Sequence, residues 1–182
     1  MRSKYVKYTL ILVLLLFAAL AIYYSVSEPE PTEYVTPADE SSALPVPYGS
    51  VYLPLTTLEG SPVTMDSTKL VFINVWATWC GPCNMEMPSI QALYDRYKSN
   101  SKIAFYIISD EAPNTVVPFI KRKGYELPFY QYEGIYPPEL NGDAIPRTYI
   151  LRNGQVLAAE IGANRWDDPK VIDFIEQQLR TL

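Results

Sequence analysis

Apolar and polar residues are distributed along the chain in three different ways, which divide it into three segments. Residues 1–26 contain an apolar run at 10–22 that carries no charge. Residues 27–49 contain five prolines, five acidic residues and few large aliphatic side chains. Residues 50–182 combine short apolar runs with helical periodicity, the pattern of packed strands and helices. The pattern therefore predicts an N-terminal apolar segment, a linker and one folded domain.

Nearly continuous apolar runs in the third segment predict strands that are buried on both faces of a sheet. The strands are predicted at 69–75, 103–108, 129–132, 149–152 and 155–161. The last two flank Asn153-Gly154, a dipeptide that favours the two-residue turn of a β-hairpin. A further hairpin is predicted at the start of the domain, from residues 51–58 and 63–65.

Helical spacing of apolar residues predicts three helices among these strands. The first runs from Pro82 to about Lys98, and the second from Thr115 to Lys123, where Gly124 is a typical C-terminal residue. The third begins at Asp168-Pro169, which suit the N-cap and the first turn. Its predicted buried stripe is Ile172, Ile175, Leu179 and Leu182. Strands that alternate with helices pair in parallel, and the final hairpin adds an antiparallel part, so an α/β fold with a mixed sheet is predicted.

The N-terminal segment has the properties of a membrane anchor. With its flanking residues the apolar run reaches 19 residues, about 28 Å as a helix, close to the roughly 30 Å of a bilayer core. Arg2, Lys4 and Lys7 precede the run, and acidic residues follow it. The positive-inside rule then places the N-terminus in the cytoplasm and the domain outside, with the lipid bilayer as a partner.

A cleaved signal peptide is the alternative for this segment, with Ala19-Leu20-Ala21 as the cleavage site and a secreted product. Tyr23 and Tyr24 lie beyond that site, where interfacial aromatic residues of an anchor belong, and the run has nearly full spanning length. Both features favour the uncleaved signal anchor. The proline- and acid-rich segment 27–49 is then predicted to be a tether between membrane and domain.

Composition narrows the chemistry of the domain to its thiols. The chain of 182 residues has two cysteines, no histidine and a net charge of −5. Without histidine there is no Ser-His-Asp or Cys-His pair, and two cysteines do not complete a zinc or iron–sulfur site. The negative charge argues against nucleic-acid binding. We therefore expect no cofactor and no metal.

Cys80 and Cys83 lie between the first buried strand and its helix, with Gly81 and Pro82 between them. The N-terminus of a helix stabilises a thiolate at Cys80, and Cys83, one turn further on, can form a disulfide with it. A c-type haem site requires histidine after the second cysteine, but residue 84 is Asn. A purely structural disulfide would close too short a loop to contribute much stability. The pair is therefore predicted to be redox-active.

The run from Val75 to Cys83, with Glu86 and Pro88 after it, resembles the thioredoxin superfamily. It is most similar to the TlpA/ResA-like membrane-anchored thiol–disulfide oxidoreductases, over about residues 50–182. The resemblance implies a thioredoxin-like fold, with a central mixed sheet flanked by helices and an N-terminal β-hairpin. It also implies that Cys80 is the exposed nucleophile and Cys83 the resolving cysteine.

Three more positions have predicted roles in substrate binding, and the resemblance implies those of Pro146 and Ile145. Pro146 matches the cis-proline that faces the dithiol, which would leave the backbone of Ile145 free to pair with a substrate strand. Trp79, immediately before Cys80, is predicted to offer an apolar docking surface. Arg147 occupies a place where a small threonine is common in the family, so it either shapes substrate preference or is merely exposed.

Glu86 is predicted to be catalytic because of a departure from the thioredoxin pattern. Thioredoxins proper have a buried aspartate six residues before the first cysteine, but this chain has Asn74, which cannot accept a proton from Cys83. Glu86 matches the acidic residue of the reductase branch and is expected to tune the dithiol and to move that proton. The alternative is a solvated carboxylate, or one in the first turn of the helix.

Taken together, these features predict a membrane-tethered, extracytoplasmic protein that reduces protein disulfides through Cys80 and Cys83. The family resemblance implies that its substrates are oxidised exported proteins, apocytochrome c among them. Because the outer compartment is oxidising, a membrane thiol carrier must supply the electrons. The alternatives are an exported disulfide oxidase or isomerase with the same fold, and a non-catalytic thioredoxin-like adaptor.

Overall fold

The computed structural model describes residues 51–182 and, before them, only Leu16 and Leu20. The predicted anchor at 1–26, its alternative cleavage site and the linker at 27–49 lie, apart from those two leucines, outside the described residues. Among the residues described, no helix is both long enough and apolar enough to span a bilayer.

Residues 51–182 fold into seven strands and three α-helices, joined by turns and one short 3₁₀-helix. The strands are β1 (Leu55–Thr57), β2 (Pro62–Val63), β3 (Leu70–Val75), β4 (Ile103–Ser109), β5 (Phe129–Gln131), β6 (Arg147–Arg152) and β7 (Gln155–Ile161). The helices are α1 (Gly81–Tyr97), α2 (Pro113–Lys123) and α3 (Pro169–Arg180), and the 3₁₀-helix is Pro138–Leu140.

The strands form one mixed sheet in the order β2-β1-β5-β4-β3-β6-β7. Strand β4 pairs in parallel with β3 and with β5, whereas β3 pairs antiparallel with β6. This arrangement confirms the predicted α/β fold with a mixed sheet. The N-terminal hairpin of β1 and β2 is also confirmed, and β1 joins the sheet by pairing with β5. Its first strand is shorter than predicted and begins after Pro54, which has no N–H group to donate.

Strand β3 is buried along its whole length because both faces of the sheet are covered. Leu70 and Phe72 belong to one hydrophobic cluster, together with apolar side chains of α1 and α3. Val71 and Ile73 belong to a second cluster on the other face. By the same alternation, Asn74 lies on the face that packs against α1. A polar side chain thus lies on the apolar face that adjoins the dithiol helix.

Most predicted element ends agree with the structure within two residues. Gly124 has a φ of 71° after α2, and the Asp168 side chain caps α3 by accepting a hydrogen bond from the N–H of Lys170 at 2.9 Å. The predicted burial of Leu182 was wrong: it is 37% exposed, because α3 ends at Arg180. Strand β6 begins at Arg147 instead of residue 149. Its first two side chains, Arg147 and Thr148, are polar although they are buried, so the apolar pattern does not include them.

Candidate active site

The two cysteines form a disulfide at the start of α1, beyond the carboxyl end of β3. Their Cα atoms are 5.3 Å apart. Cys80 is the N-cap residue, and its Sγ accepts a hydrogen bond from the N–H of Cys83 at 3.2 Å. This N–H group and the positive end of the helix dipole would stabilise negative charge on the Cys80 sulfur after reduction. The local geometry therefore suits thiol–disulfide exchange.

The exposure of the cysteines differs from what the resemblance implies. Cys80 is only 4% exposed in this disulfide-bonded state, because it packs in the same hydrophobic cluster as Trp76 and Ala77. The expectation of an exposed nucleophile is thus wrong for the oxidised form. Cys83 is completely buried. Trp79, immediately before Cys80, is by contrast 73% exposed.

Glu86 lies in the second turn of α1, and its carboxylate is held by three hydrogen bonds. Asn74 Nδ2 donates to Oε1 at 2.8 Å. The Asn164 N–H and the Trp166 Nε1–H donate to Oε2 at 3.1 and 2.9 Å. The side chain is 2% exposed, so the alternative of a solvated carboxylate was wrong. Glu86 also lies beyond the first turn of the helix.

Burial raises the pKa of Glu86 above its ordinary value near 4.5, although the bonds from Trp166, Asn164 and Asn74 act in the opposite direction. A raised pKa brings the carboxyl closer to the range in which a thiol exchanges protons. Asn74 connects this carboxylate to β6, since its Nδ2 also donates to Thr148 Oγ1 at 2.8 Å. The Oδ1 atom of Asn74 is buried and has no hydrogen-bond partner among the described residues.

Ile145 and Pro146 precede β6, and the peptide bond between them is cis. Ile145 is half-buried and packs against both hydrophobic clusters, including the one that contains the cysteines. The Pro146 carbonyl accepts a hydrogen bond from the Gly162 N–H at 2.8 Å. Neither the N–H nor the C=O of Ile145 is hydrogen-bonded to a described residue.

Arg147 is only 6% exposed, so the prediction that it is merely an exposed residue was wrong. Its Nε donates to the Leu140 carbonyl at 3.2 Å, and its Nη1 to the Ala144 carbonyl at 3.3 Å. The guanidinium carbon lies 4.5 Å from the centre of the Tyr136 ring. The Tyr149 hydroxyl donates to the same Leu140 carbonyl at 3.1 Å. The connection between β5 and β6, for which the sequence indicates no role, is therefore wrapped around the Arg147 side chain.

Replacing Arg147 with methionine is expected to lower the free energy of unfolding by about 1–3 kcal/mol, because the Ala144 carbonyl loses its charged donor and the buried Leu140 carbonyl keeps only the Tyr149 hydroxyl. Amide hydrogen exchange should become faster in residues 132–144, and urea denaturation gives the stability. Arg180→Met is the matched control: Arg180 is exposed, and its loss should change stability by less than about 0.5 kcal/mol. Equal effects of the two substitutions would contradict the assigned role of Arg147.

Glu111 is a site residue that the sequence interpretation missed. It follows β4, and its carboxylate accepts hydrogen bonds from both the N–H and the hydroxyl of Thr78, the latter at 2.8 Å. Thr78 lies in the active-site turn, which we define as residues 76–80. The signal was present in the sequence: two acidic residues, Asp110 and Glu111, follow a buried strand, at the edge where parallel strands end. Within residues 51–182 no group of carboxylates and thiols could hold a metal ion.

Comparisons with known proteins agree with this geometry. A family model described as Redoxin matches residues 37–174. The thiol-disulfide oxidoreductase ResA of Bacillus thuringiensis (strain Al Hakam) is 36% identical over 76 residues, which cover 41% of this chain and 44% of that protein. The match thus spans less than half the length of that relative. ResA of Halalkalibacterium halodurans is 29% identical over 126 residues, or 67% of this chain and 70% of that protein.

A solved structure is similar over most of this chain. The thiol:disulfide interchange protein of Chlorobium tepidum TLS, a thioredoxin family protein, aligns with a TM-score of 0.56 at 21% sequence identity. The alignment covers 75% of this chain and 99% of that chain. The similarity shows a thioredoxin-like fold, as the sequence resemblance implied.

Proposed function

The chain belongs to the Redoxin family as a ResA/TlpA-like member of the thioredoxin superfamily, and we propose that it reduces disulfides in other proteins. The observation that carries this proposal is the position of Cys80 at the N-cap of α1, with the Cys83 N–H on its sulfur. A backbone donor and a helix dipole at one sulfur favour the thiolate, which is the attacking form.

The reaction consists of two exchange steps. In the reduced chain, the Cys80 thiolate attacks one sulfur of a substrate disulfide, and the other substrate sulfur leaves as a thiolate. The Cys83 thiol then loses its proton and attacks the Cys80 sulfur, which releases the second substrate thiol and closes the Cys80–Cys83 disulfide. Two electrons pass from the dithiol to the substrate.

Glu86 is the group we propose for the proton of Cys83. It follows Cys83 by three residues on the same helix, which places the two side chains on neighbouring turns. Its raised pKa makes it a better proton acceptor than an ordinary carboxylate. Once ionised, Glu86 has a second role, because its negative charge disfavours the formation of a thiolate at the dithiol.

Substrate binding is proposed to use the surface around the disulfide. Trp79 is exposed and apolar, so it can cover a substrate segment next to Cys80. The free backbone groups of Ile145, just before Pro146, can pair with an extended substrate strand. A main-chain contact of this type accepts many sequences, which suits a reductase that acts on several proteins.

We further propose that the domain works outside the cytoplasmic membrane, tethered by residues 1–26 through the linker at 27–49. The uncharged run at 10–22, with cations before it and acids after it, supports this placement. Substrates would be oxidised exported proteins, including apocytochrome c, as the resemblance to the TlpA/ResA-like reductases implies. Since the outer compartment is oxidising, a membrane thiol carrier would return electrons to the dithiol.

The reduction potential of the full chain tests the direction of this reaction. We expect a value near that of reducing thioredoxins, about −270 mV, and far from the about −120 mV of the oxidant DsbA. The measurement is equilibration with dithiothreitol or glutathione redox buffers, followed by alkylation of free thiols and mass analysis. A potential close to that of DsbA would contradict the reductase and favour an exported oxidase.

A further inference from the structure

The active-site turn is fastened to the end of β4 through Thr78. The Glu111 carboxylate binds Thr78 through two donors, the backbone N–H and the side-chain hydroxyl. On the other side, the Thr78 carbonyl accepts a hydrogen bond from Asn84 Nδ2, in α1, at 3.0 Å. Glu111 is itself positioned, since its N–H donates to Ser109 Oγ at 3.2 Å. One carboxylate therefore connects β4, the active-site turn and, through Thr78, the first turns of α1.

This arrangement places a negative charge on the active-site turn, at a residue two positions before Cys80. Thr78 and Cys80 are two residues apart, so their Cα atoms are separated by at most about 7 Å. The Glu111 carboxylate is half-buried, and no cation of the described residues lies within ion-pair distance of it. A charge that is not neutralised and is only partly solvated acts on a neighbouring thiolate through an effective dielectric constant well below that of water.

The other charged groups around the dithiol are held in different ways. Those at the same end of the sheet or acting on Glu86 include Glu86 itself on α1, Asp110 after β4, Arg147 on β6, which pairs with Val75, and Glu160 on β7. Glu86 is bound by its three donors, and Arg147 is directed to the carbonyls of the β5–β6 connection. Asp110 and Glu160 are exposed, so solvent screens their charge. Glu111 is therefore distinguished by contacting the active-site turn itself.

We propose that Glu111 is a positioning residue that holds the active-site turn and disfavours the Cys80 thiolate by its charge, so that the dithiol is a stronger reductant. The inference rests on the proposed reductase function and gives it a physical cause. A dithiol whose thiolate is destabilised gives up its electrons more readily, because the disulfide becomes the favoured state of the pair. The helix N-terminus stabilises the Cys80 thiolate, and the charge of Glu111 opposes this stabilisation.

Glu111→Gln in the full chain separates the charge from the hydrogen bonds. A glutamine can still accept from the Thr78 N–H with Oε1, and its Nε2 can donate to the Thr78 hydroxyl oxygen. The equilibrium constant with glutathione should equal that of the wild type below the pKa of Cys80, where both thiols are neutral. Above that pKa, the equilibrium constant of the variant should shift by about three- to tenfold in favour of the reduced dithiol. A tenfold shift corresponds to about 30 mV. The alkylation midpoint of Cys80 should fall by about half to one pH unit.

Two matched variants serve as controls. Asp110→Asn removes the same charge from the neighbouring, exposed residue and should shift the equilibrium by less than about twofold. Thr78→Val removes the hydroxyl but keeps the Glu111 charge, so its potential should follow the wild type at all pH values. Because all chains are compared in the same buffers, the ionisation of glutathione cancels.

Four results would overturn the inference: no divergence at high pH, a shift that is equal at all pH values, an equal effect of Asp110→Asn, or loss of the fold in Glu111→Gln. The last result would make Glu111 a structural requirement. Failure of the proposed function is a separate result, because it would be seen in the potential of the wild type. The comparison between wild type and Glu111→Gln remains informative in that case.

Discussion

A full-length chain carrying Cys80→Ser is expected to reduce insulin disulfides no faster than the supplied reductant alone, a loss of more than about 100-fold. Serine at the N-cap can accept the same hydrogen bond from the Cys83 N–H, so the start of α1 should be preserved. A hydroxyl does not ionise in the range where a thiol does, however, and it does not attack a disulfide. We do not expect Cys83 to replace Cys80, because its side chain is completely buried and lacks the N-cap position that favours a thiolate at Cys80. The measurement is insulin precipitation with dithiothreitol as reductant.

Cys83→Ser is the matched control for the order of the two exchange steps. The attack by Cys80 remains possible in this variant, but the mixed disulfide cannot be resolved from within the chain. We therefore expect a stable covalent adduct with the substrate, visible by mass spectrometry and lost on addition of dithiothreitol. Formation of the same adduct through Cys83 in Cys80→Ser would reverse the assigned roles.

The same variant distinguishes the proposed substrates. Proteins that stay attached to Cys80 of Cys83→Ser in cells that produce the variant can be recovered and identified. Apoproteins with haem-attachment motifs would support a role in cytochrome c maturation, whereas many unrelated exported proteins would indicate general reduction. Wild-type activity and phenotype in Cys80→Ser would instead favour the non-catalytic adaptor.

The sequence predicts those parts of the fold that depend on local pattern. Strand β3 is recognisable because both of its faces are buried, which leaves almost no polar position in it. The β6–β7 turn is recognisable because Asn153 and Gly154 both have positive φ, at 52° and 75°, which few other residues adopt easily. The start of α3 follows from the capping preferences of Asp168 and Pro169. In each case one or two neighbouring residues determine the local structure.

The surroundings of the dithiol depend on residues that are distant in sequence, and there the pattern fails. Burial of Glu86 requires donors from Asn164 and Trp166, which follow it by 78 and 80 residues. Burial of Arg147 requires carbonyl groups of an irregular segment without periodicity. Charged side chains are exposed in most proteins, so only the tertiary structure reveals that these two are not.

Glu86→Ala is expected to lower the free energy of unfolding by about 3–5 kcal/mol, the second large effect. The substitution removes an acceptor from three donors: the buried Trp166 Nε1–H, the part-buried Asn164 N–H, and Asn74 Nδ2, which keeps only Thr148 Oγ1. Each unsatisfied buried donor costs about 1–3 kcal/mol, and water that enters the cavity recovers part of this cost. Urea denaturation of the oxidised chain measures the change.

Glu86→Gln is the control that keeps the shape, and it should cost only about 1 kcal/mol. Its amide oxygen can accept from Asn164 and Trp166, but its NH₂ group then faces Asn74 Nδ2. Rotation of the Asn74 amide resolves this conflict, because its Oδ1 atom has no partner among the residues described and could accept the new donor. A Glu86→Gln chain as unstable as Glu86→Ala would show that the network requires the negative charge itself.

The pH dependence of stability gives an independent check on Glu86. Because its pKa is raised in the folded chain, the folded state keeps the proton to a higher pH than the unfolded state, which loses it near 4.5. As the pH rises from about 4.5 through the folded pKa, the unfolded state therefore binds fewer protons, and the free energy of unfolding decreases.

Glutamine does not titrate, so the stability of the wild type relative to Glu86→Gln should fall across this window and be constant on either side. Urea denaturation of both oxidised chains between pH 3.5 and 8 measures it. A relative stability that rises with pH would mean that the three hydrogen bonds outweigh burial and that Glu86 is an ordinary anion, unsuited to accept the proton of Cys83.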